Sequence, residues 1–393
     1  MLVLLHFHTL GFSPVQLAYL FVLYEIAGVI TNLSAGWVAA RFGLTSTLYA
    51  GLSLQVLALL ALTQLDPAWS ITASVVFVML VQGLSGVAKD LAKMSSKSAV
   101  KILAPATGGG LFRWVATLTG SKNAVKGSGF LLGAVLLAAF GFVPSVLTMA
   151  AVLFVILIGV MTGMPKGLPV GRKDAKFSEV FSKNRNINWL SAARLFLFGA
   201  RDVWFVVGLP IYFYAVLSDG TTESNRTAFF MIGTFMAVWT ILYGIVQGSA
   251  PRILKAASRS NAEILALAKR WVGLLVIVPA FLAGLVWLAP EPSNVLTVTI
   301  VLGLLVFGGI FAVNSALHSF LILSLTDAKR VTMDVGFYYM ANSVGRLVGT
   351  VLSGFTYQMG GLSLCLGTAT LMIGLGWLGT SQLKAPKTAK VAA

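Results

Sequence analysis

Runs of about 20 apolar residues recur along this chain with only short loops between them, a length that matches the hydrocarbon core of a bilayer. Of its 393 residues, 58% are hydrophobic and only 10% are charged, and the mean hydropathy is +0.90. A soluble domain carries roughly a quarter charged residues. Within lipid the backbone must satisfy its own polar groups, and a helix does so inside one segment. The expected fold class is therefore an all-α polytopic membrane protein. The net charge of +16 sits mostly in short loops between apolar runs. It marks loop orientation and does not imply nucleic acid. The single cysteine, Cys365, excludes an internal disulfide and a thiolate metal site.

Ser13-Pro14 opens a span at about 15–40, and further spans follow at 47–65, 71–94, 113–140 and 146–164. A basic linker, 165–188, precedes spans at 189–217, 228–250, 268–288, 295–325, 334–357 and 362–382. With a stub at 1–10, which is too short to cross, these make eleven full spans and one partial one. Counting the stub as span one, the loops after even-numbered spans are basic: Arg41; Lys89, Lys93, Lys97 and Lys101; the linker cations; Arg252, Lys255 and Arg259; Lys329 and Arg330. The alternate loops carry Asp66, Asp219, Glu223 and Glu291. The basic loops and the C-terminus are expected in the cytoplasm. Residues 91–103, with Lys93, Lys97 and Lys101, are expected to extend span four along the inner surface, against lipid headgroups. Lys176 to Arg185 is expected to form a short surface helix.

The spans fall into two parallel halves: 1–164, a six-helix bundle with an incomplete first helix, and 189–383, a second six-helix bundle. The linker 165–188 joins them, and 384–393 is a cytoplasmic tail. His6-Phe7-His8 occupies the place that Tyr212-Phe213-Tyr214 holds in the second half, so Met1 aligns with about Val207. On that alignment the sequence is expected to begin inside its first helix, and because a helix starting in mid-membrane leaves its first N–H groups unsatisfied, a native start further upstream is expected. His6 and His8 alone do not make a metal site.

Several charges cannot be moved out of the membrane. The apolar end of span five, 129–140, is too short to cross alone, so its helix runs back through Lys126 and Lys122. Lys122, Lys126, Gly129 and Gly133 share one helical stripe. Arg201 in span seven and Arg346 in span eleven each lie about 18 Å from the inner face, at the depth of Lys126. Arg194 shares a face with Arg201, two turns nearer the cytoplasm. The embedded acids are Glu25, Asp202 and, at the inner edge, Asp334. The excess of cations points to an anionic ligand held by Lys122, Lys126, Arg194, Arg201 and Arg346, because guanidinium forks pair with oxyanions and lysine adds a point charge. A helix-locking pair such as Asp202 with Lys126 is the alternative use of these charges. Asn342 and His318 are further candidate ligands, and Asn314 lies one turn before His318. Glu25, with Gly28, Asn32 and Gly36 on its helix face, is a candidate proton carrier, and so is Asp202.

Twelve spans in two parallel sixes joined by a basic linker resemble the major facilitator superfamily. Gly36-Trp37-Val38-Ala39-Ala40-Arg41-Phe42-Gly43 resembles its G-x-x-x-D-R-x-G gating motif, with Gly36, Arg41 and Gly43 at the motif positions and Ala40 in place of the aspartate. Val81-Gln82-Gly83 resembles the end of R-x-x-Q-G, with Met79 at the arginine position. FVLYEIAGVITNLSAGWVAARFGL (21–44), QGLSGVAKDLAKMSSKSAVKIL (82–103), LTGSKNAVKGSGFLLGAVLL (118–137) and NSVGRLVGTVLSGFTYQ (342–358) resemble the organoarsenical efflux permeases of that superfamily. The resemblance implies a major facilitator fold in the bacterial inner membrane and export of 1-arseno-3-phosphoglycerate. It also implies arsenate resistance and a functional link to glyceraldehyde-3-phosphate dehydrogenase, which makes that compound. A monomer in the lipid bilayer, without cofactor or nucleic-acid partner, is expected. Another organic phosphate or small anionic metabolite is the alternative cargo, and a non-transporting receptor or scaffold is the alternative class. No Walker loop, nucleophile elbow or HExxH is present, and Gly108-Gly109-Gly110 follows no strand, so an enzyme is not expected.

Overall fold

The computed structural model describes residues 13–64, 68–103, 110–140, 142–164, 176–289, 293–327 and 329–384. Helices run through each of the expected spans among these residues: α1 (Pro14–Phe42), α2 (Leu44–Leu62), α3 (Ile71–Leu103), α4 (Gly110–Phe140) and α5 (Phe142–Gly163). After them come α6 (Arg185–Val203), α7 (Leu209–Leu217), α8 (Thr222–Ile253), α9 (Asn261–Leu288), α10 (Asn294–Leu325) and α11 (Val331–Ser381). The stub at 1–10, His6, His8, Asp66, Glu291, most of the linker and the tail beyond 384 lie outside the described residues. Seven of the described helical stretches are long and apolar enough to cross a membrane.

Local chemistry sets the helix ends. Ser13 caps α1 in a reciprocal box with Gln16, and Pro14 fills the first turn, where its missing N–H costs nothing. Ser260 and Glu263 do the same for α9. The short surface helix expected at 176–185 is instead a 3₁₀ turn, Phe177–Val180. Asn184 takes over beyond it, accepting from the Asn186 N–H and starting α6 earlier than expected. α11 is two spans in one label, broken at Gly360 and Gly361. Gly361 has φ of 61° with ψ of −155°, a conformation closed to residues with a Cβ.

Span seven is α6 and α7 joined by a π turn, Trp204–Gly208. Pro210 cannot donate to the preceding turn, and the ladder shifts register just before it. The N–H groups of Val207 and Gly208 donate to Ser353 Oγ on α11, at 3.2 and 3.1 Å.

Two long crossings tie α1–α5 to α6–α11: α1 packs along α11, and α4 along α8. The backbones nearly touch in the first. A Cβ on Gly36 would sit 2.8 Å from the Thr332 carbonyl oxygen, and Gly336 packs against Gly36 in return. Close approach of this kind is how helices associate in lipid, where no hydrophobic gain separates helix from solvent. α11 also lies along α6, so it contacts both α1 and the helix that carries Arg194 and Arg201.

α3 differs from expectation. The segment 91–103 does not lie along the surface but continues α3 as one helix to Leu103. Lys97 is 3% exposed and Asp90 is 3% exposed. The helical period turns Asp90, Lys93 and Lys97 to one face, and that face packs inward on α1 and on Tyr339 of α11.

Candidate functional site

The predicted charges of spans two, seven and eleven converge. Arg346 donates to Glu25 of α1 through its terminal nitrogen, and its Nε lies 3.4 Å from Asp202 Oδ2. Asp202 also accepts from Arg201, at 2.5 Å to Nη2 and 2.6 Å to Nε. The two carboxylates are nearly sealed, with side chains 5% and 2% exposed, while Arg346 keeps 29%. One guanidinium therefore bridges two carboxylates on two different helices, a task that suits its planar fork. Asp202 thus meets two guanidinium groups, Arg201 and Arg346, and it is also the acid that bears on Lys126. Among these four groups, Glu25, Asp202, Arg201 and Arg346, charges balance.

Further cations lie beside it. Lys126 and Lys122 are exposed along α4. The charges that bear on Lys126 are Arg346, Arg201 and Lys89, with Asp202 the opposing one. Those on Lys122 are Lys93, Lys89 and Lys126, opposed by Asp90. Arg194, 4% exposed, has polar partners rather than an acid: its Nε donates to Asn342 Oδ1 at 3.0 Å and its Nη1 to Ser315 Oγ at 3.1 Å. Its guanidinium also lies 3.7 Å from the Phe198 ring centroid and 5.1 Å from that of Tyr338, a cation–π setting. Two of the candidate ligands, Asn342 and Arg194, are thus in direct contact. His318 is fully buried on α10, and neither ring nitrogen has a hydrogen-bond partner among the described residues; Asn314, one turn away, is in the same state.

A second polar knot was not foreseen. Asn32 Nδ2 donates to Asp90 Oδ2 at 2.8 Å and to Ser343 Oγ at 3.0 Å, while Lys93 Nζ donates to Asn32 Oδ1 and Asp90 Oδ1 at 2.5 and 2.6 Å. Asp90 lies in a run of lysines that resembles a loop, so the sequence alone gives it no role. The spacing of three between Asp90 and Lys93 was the available signal.

The gating-motif residues are at one end of the α1–α11 crossing. Gly36 makes the close backbone approach, Gly43 turns the chain with φ of 88°, and Arg41 lies 5.6 Å from the Trp37 ring. Among the described residues no group of His, Cys, Asp and Glu is arranged to hold a metal.

No protein-family model and no curated protein matches the chain. Solved structures do. A bacterial homologue of the iron transporter ferroportin aligns over 93% of this chain and 90% of its own, with TM-score 0.73 and 14% identity. The E. coli fucose:proton symporter FucP aligns over 98% and 95%, with TM-score 0.68 and 14% identity. The human organic anion transporter MFSD10 aligns over 93% and 84%, with TM-score 0.64 and 15% identity. The chain has the all-helical fold of the major facilitator transporters.

Proposed function

We propose that this chain is a secondary transporter that moves an organic anion by alternating access. The observation that carries the reading is the Arg346 bridge. A guanidinium shared by Glu25 and Asp202, on helices that come from both sides of the α1–α11 crossing, is a contact that a multiply charged substrate can compete for. An oxyanion taking Arg346 would leave Glu25 without its cation, and a buried carboxylate in that position takes up a proton. Substrate and proton would then exchange for one another at a single group. Lys126 and Arg201 stand next to the bridge to hold further negative oxygens. One of the structural relatives is itself an organic anion transporter, and another a proton symporter.

Within that class the favoured substrate is 1-arseno-3-phosphoglycerate, exported from the cytoplasm of a bacterium to confer arsenate resistance. The four sequence stretches that resemble organoarsenical permeases support it, and the compound's phosphate, carboxylate and arsenate groups suit a cationic site. Another organic phosphate is the second reading, favoured by the same charges. The test is accumulation of arsenate-derived label in everted vesicles, with and without glyceraldehyde-3-phosphate dehydrogenase and its substrates. Accumulation that requires the dehydrogenase supports the arsenical. Uptake of a phosphate ester in its absence favours the second reading, and no uptake of either refutes the transporter reading.

A further inference from the structure

A cleft of about 310 Å³ opens between α3, α4 and α11, lined by Lys93, Lys97, Lys122 and Tyr339 among others. None of Glu25, Arg201, Asp202 or Arg346 lines it. Its volume falls at the lower end of the range for small-molecule sites, about 300–1,000 Å³.

The lysines are not equivalent. Lys93 is neutralised by Asp90 at 2.6 Å. Lys122 is exposed on α4, and no hydrogen bond or ion pair joins it to a described residue. Lys97 is the unusual one. It is 3% exposed, and its Nζ is sealed from bulk solvent without a hydrogen-bond partner among the described residues. Its Nζ lies 5.3 Å from the centroid of the Tyr339 ring, a ring that Lys93 also approaches at 4.4 Å. The charges that bear on it are Arg194, Lys122 and Lys93, all of its own sign. A buried ammonium surrounded by cations is unfavourable unless something negative joins it. Among the described residues three ammonium groups line one cavity, and the acid paired with one of them is Asp90, on Lys93.

We infer that this cleft is a second anion site, separate from the Arg346 bridge, that binds a phosphoryl oxyanion between Lys97 and Lys122 with Lys93 at its edge. The inference does not depend on the transport reading. The oxyanion can be a free phosphate group or the headgroup of an anionic lipid, and the chemistry of the site is the same for both.

The test uses the purified full chain in nanodiscs and follows thermal unfolding. One arm adds inorganic phosphate to phosphatidylcholine discs, against chloride at equal ionic strength. The other arm replaces part of the phosphatidylcholine with phosphatidylglycerol and adds no phosphate. Wild type is expected to melt higher in at least one arm, and the responding arm identifies the source. Lys97→Met is expected to have opposite effects on the two quantities. Without anion it melts at or above wild type, because an apolar chain replaces an unpaired buried charge. In the responding arm it loses the rise, with apparent affinity at least about tenfold weaker, or 1.4 kcal/mol. Lys122→Met, on an exposed side chain, should also weaken the response and covers the case in which the Lys97 variant does not fold. Arg346→Gln should retain it, which separates this site from the central one. A wild-type protein that responds in neither arm, or a Lys97→Met or Lys122→Met protein that keeps the full response, overturns the inference.

Discussion

Arg346→Gln removes the cation from a bridge whose carboxylates are almost sealed. Asp202 keeps Arg201 at 2.5 Å, so its loss is partial. Glu25, with a side chain 5% exposed, loses the partner described for it. A pair at 3.4 Å, the Arg346–Asp202 distance, is worth about 5 kcal/mol at an effective dielectric of about 20. Desolvation offsets part of this in the intact bridge, but the offset is not recovered when only the cation is removed. Breaking a buried pair from one side costs about 3–5 kcal/mol. The expected loss is about 3 kcal/mol, at the low end because Arg346 is 29% exposed and solvent screens it. Glu25→Gln together with Arg346→Gln replaces the charged pair with two amides that can bond each other, and should cost less than the sum of the single changes. The coupling energy is expected to be about 2–3 kcal/mol. Unfolding by graded SDS in lipid bicelles measures all four corners of the cycle. Single effects that add to within about 0.5 kcal/mol would show that the bridge is not an energetic unit, and the competition mechanism would lose its basis.

Glu25→Gln alone should abolish transport driven by a pH gradient and leave substrate exchange across the membrane intact; equal loss of both assigns Glu25 a structural part only. Ser353→Ala removes the acceptor of the Val207 and Gly208 N–H groups and should lower stability by about 1–3 kcal/mol, read by the same SDS titration, whereas Ser353→Thr keeps the acceptor and should restore part of it. In a Cys365→Ser background, cysteines at Ser218 and Ser293 should react with an impermeant maleimide in intact cells and a cysteine at Ser178 should not; the opposite pattern inverts the membrane orientation.

The spans were legible because bilayer length and helix hydropathy are local properties. The cap was legible for the same reason, because Ser13-Pro14 starts a helix wherever it stands, and the gap expected between spans at 357 and 362 falls at Gly360-Gly361. Depth was also legible, since about 1.5 Å of rise per residue converts position into height. It placed Arg201 and Arg346 at one level, where the structure joins both to Asp202. Local reasoning failed at the choice of partner. Glu25 and Arg346 are separated by most of the chain, and nothing at either position names the other. Only the packing of α1 against α11 and of α11 against α6 brings Arg346 between Glu25 and Asp202. The inner part of α3 shows the same limit. A lysine every fourth residue has the pattern of a surface helix, and composition alone assigns Lys97 to headgroups. Whether that face meets lipid or Tyr339 depends on where a distant helix lies. Hydropathy and period are summed along one segment, whereas burial of a charge is set by what other segments bring to it.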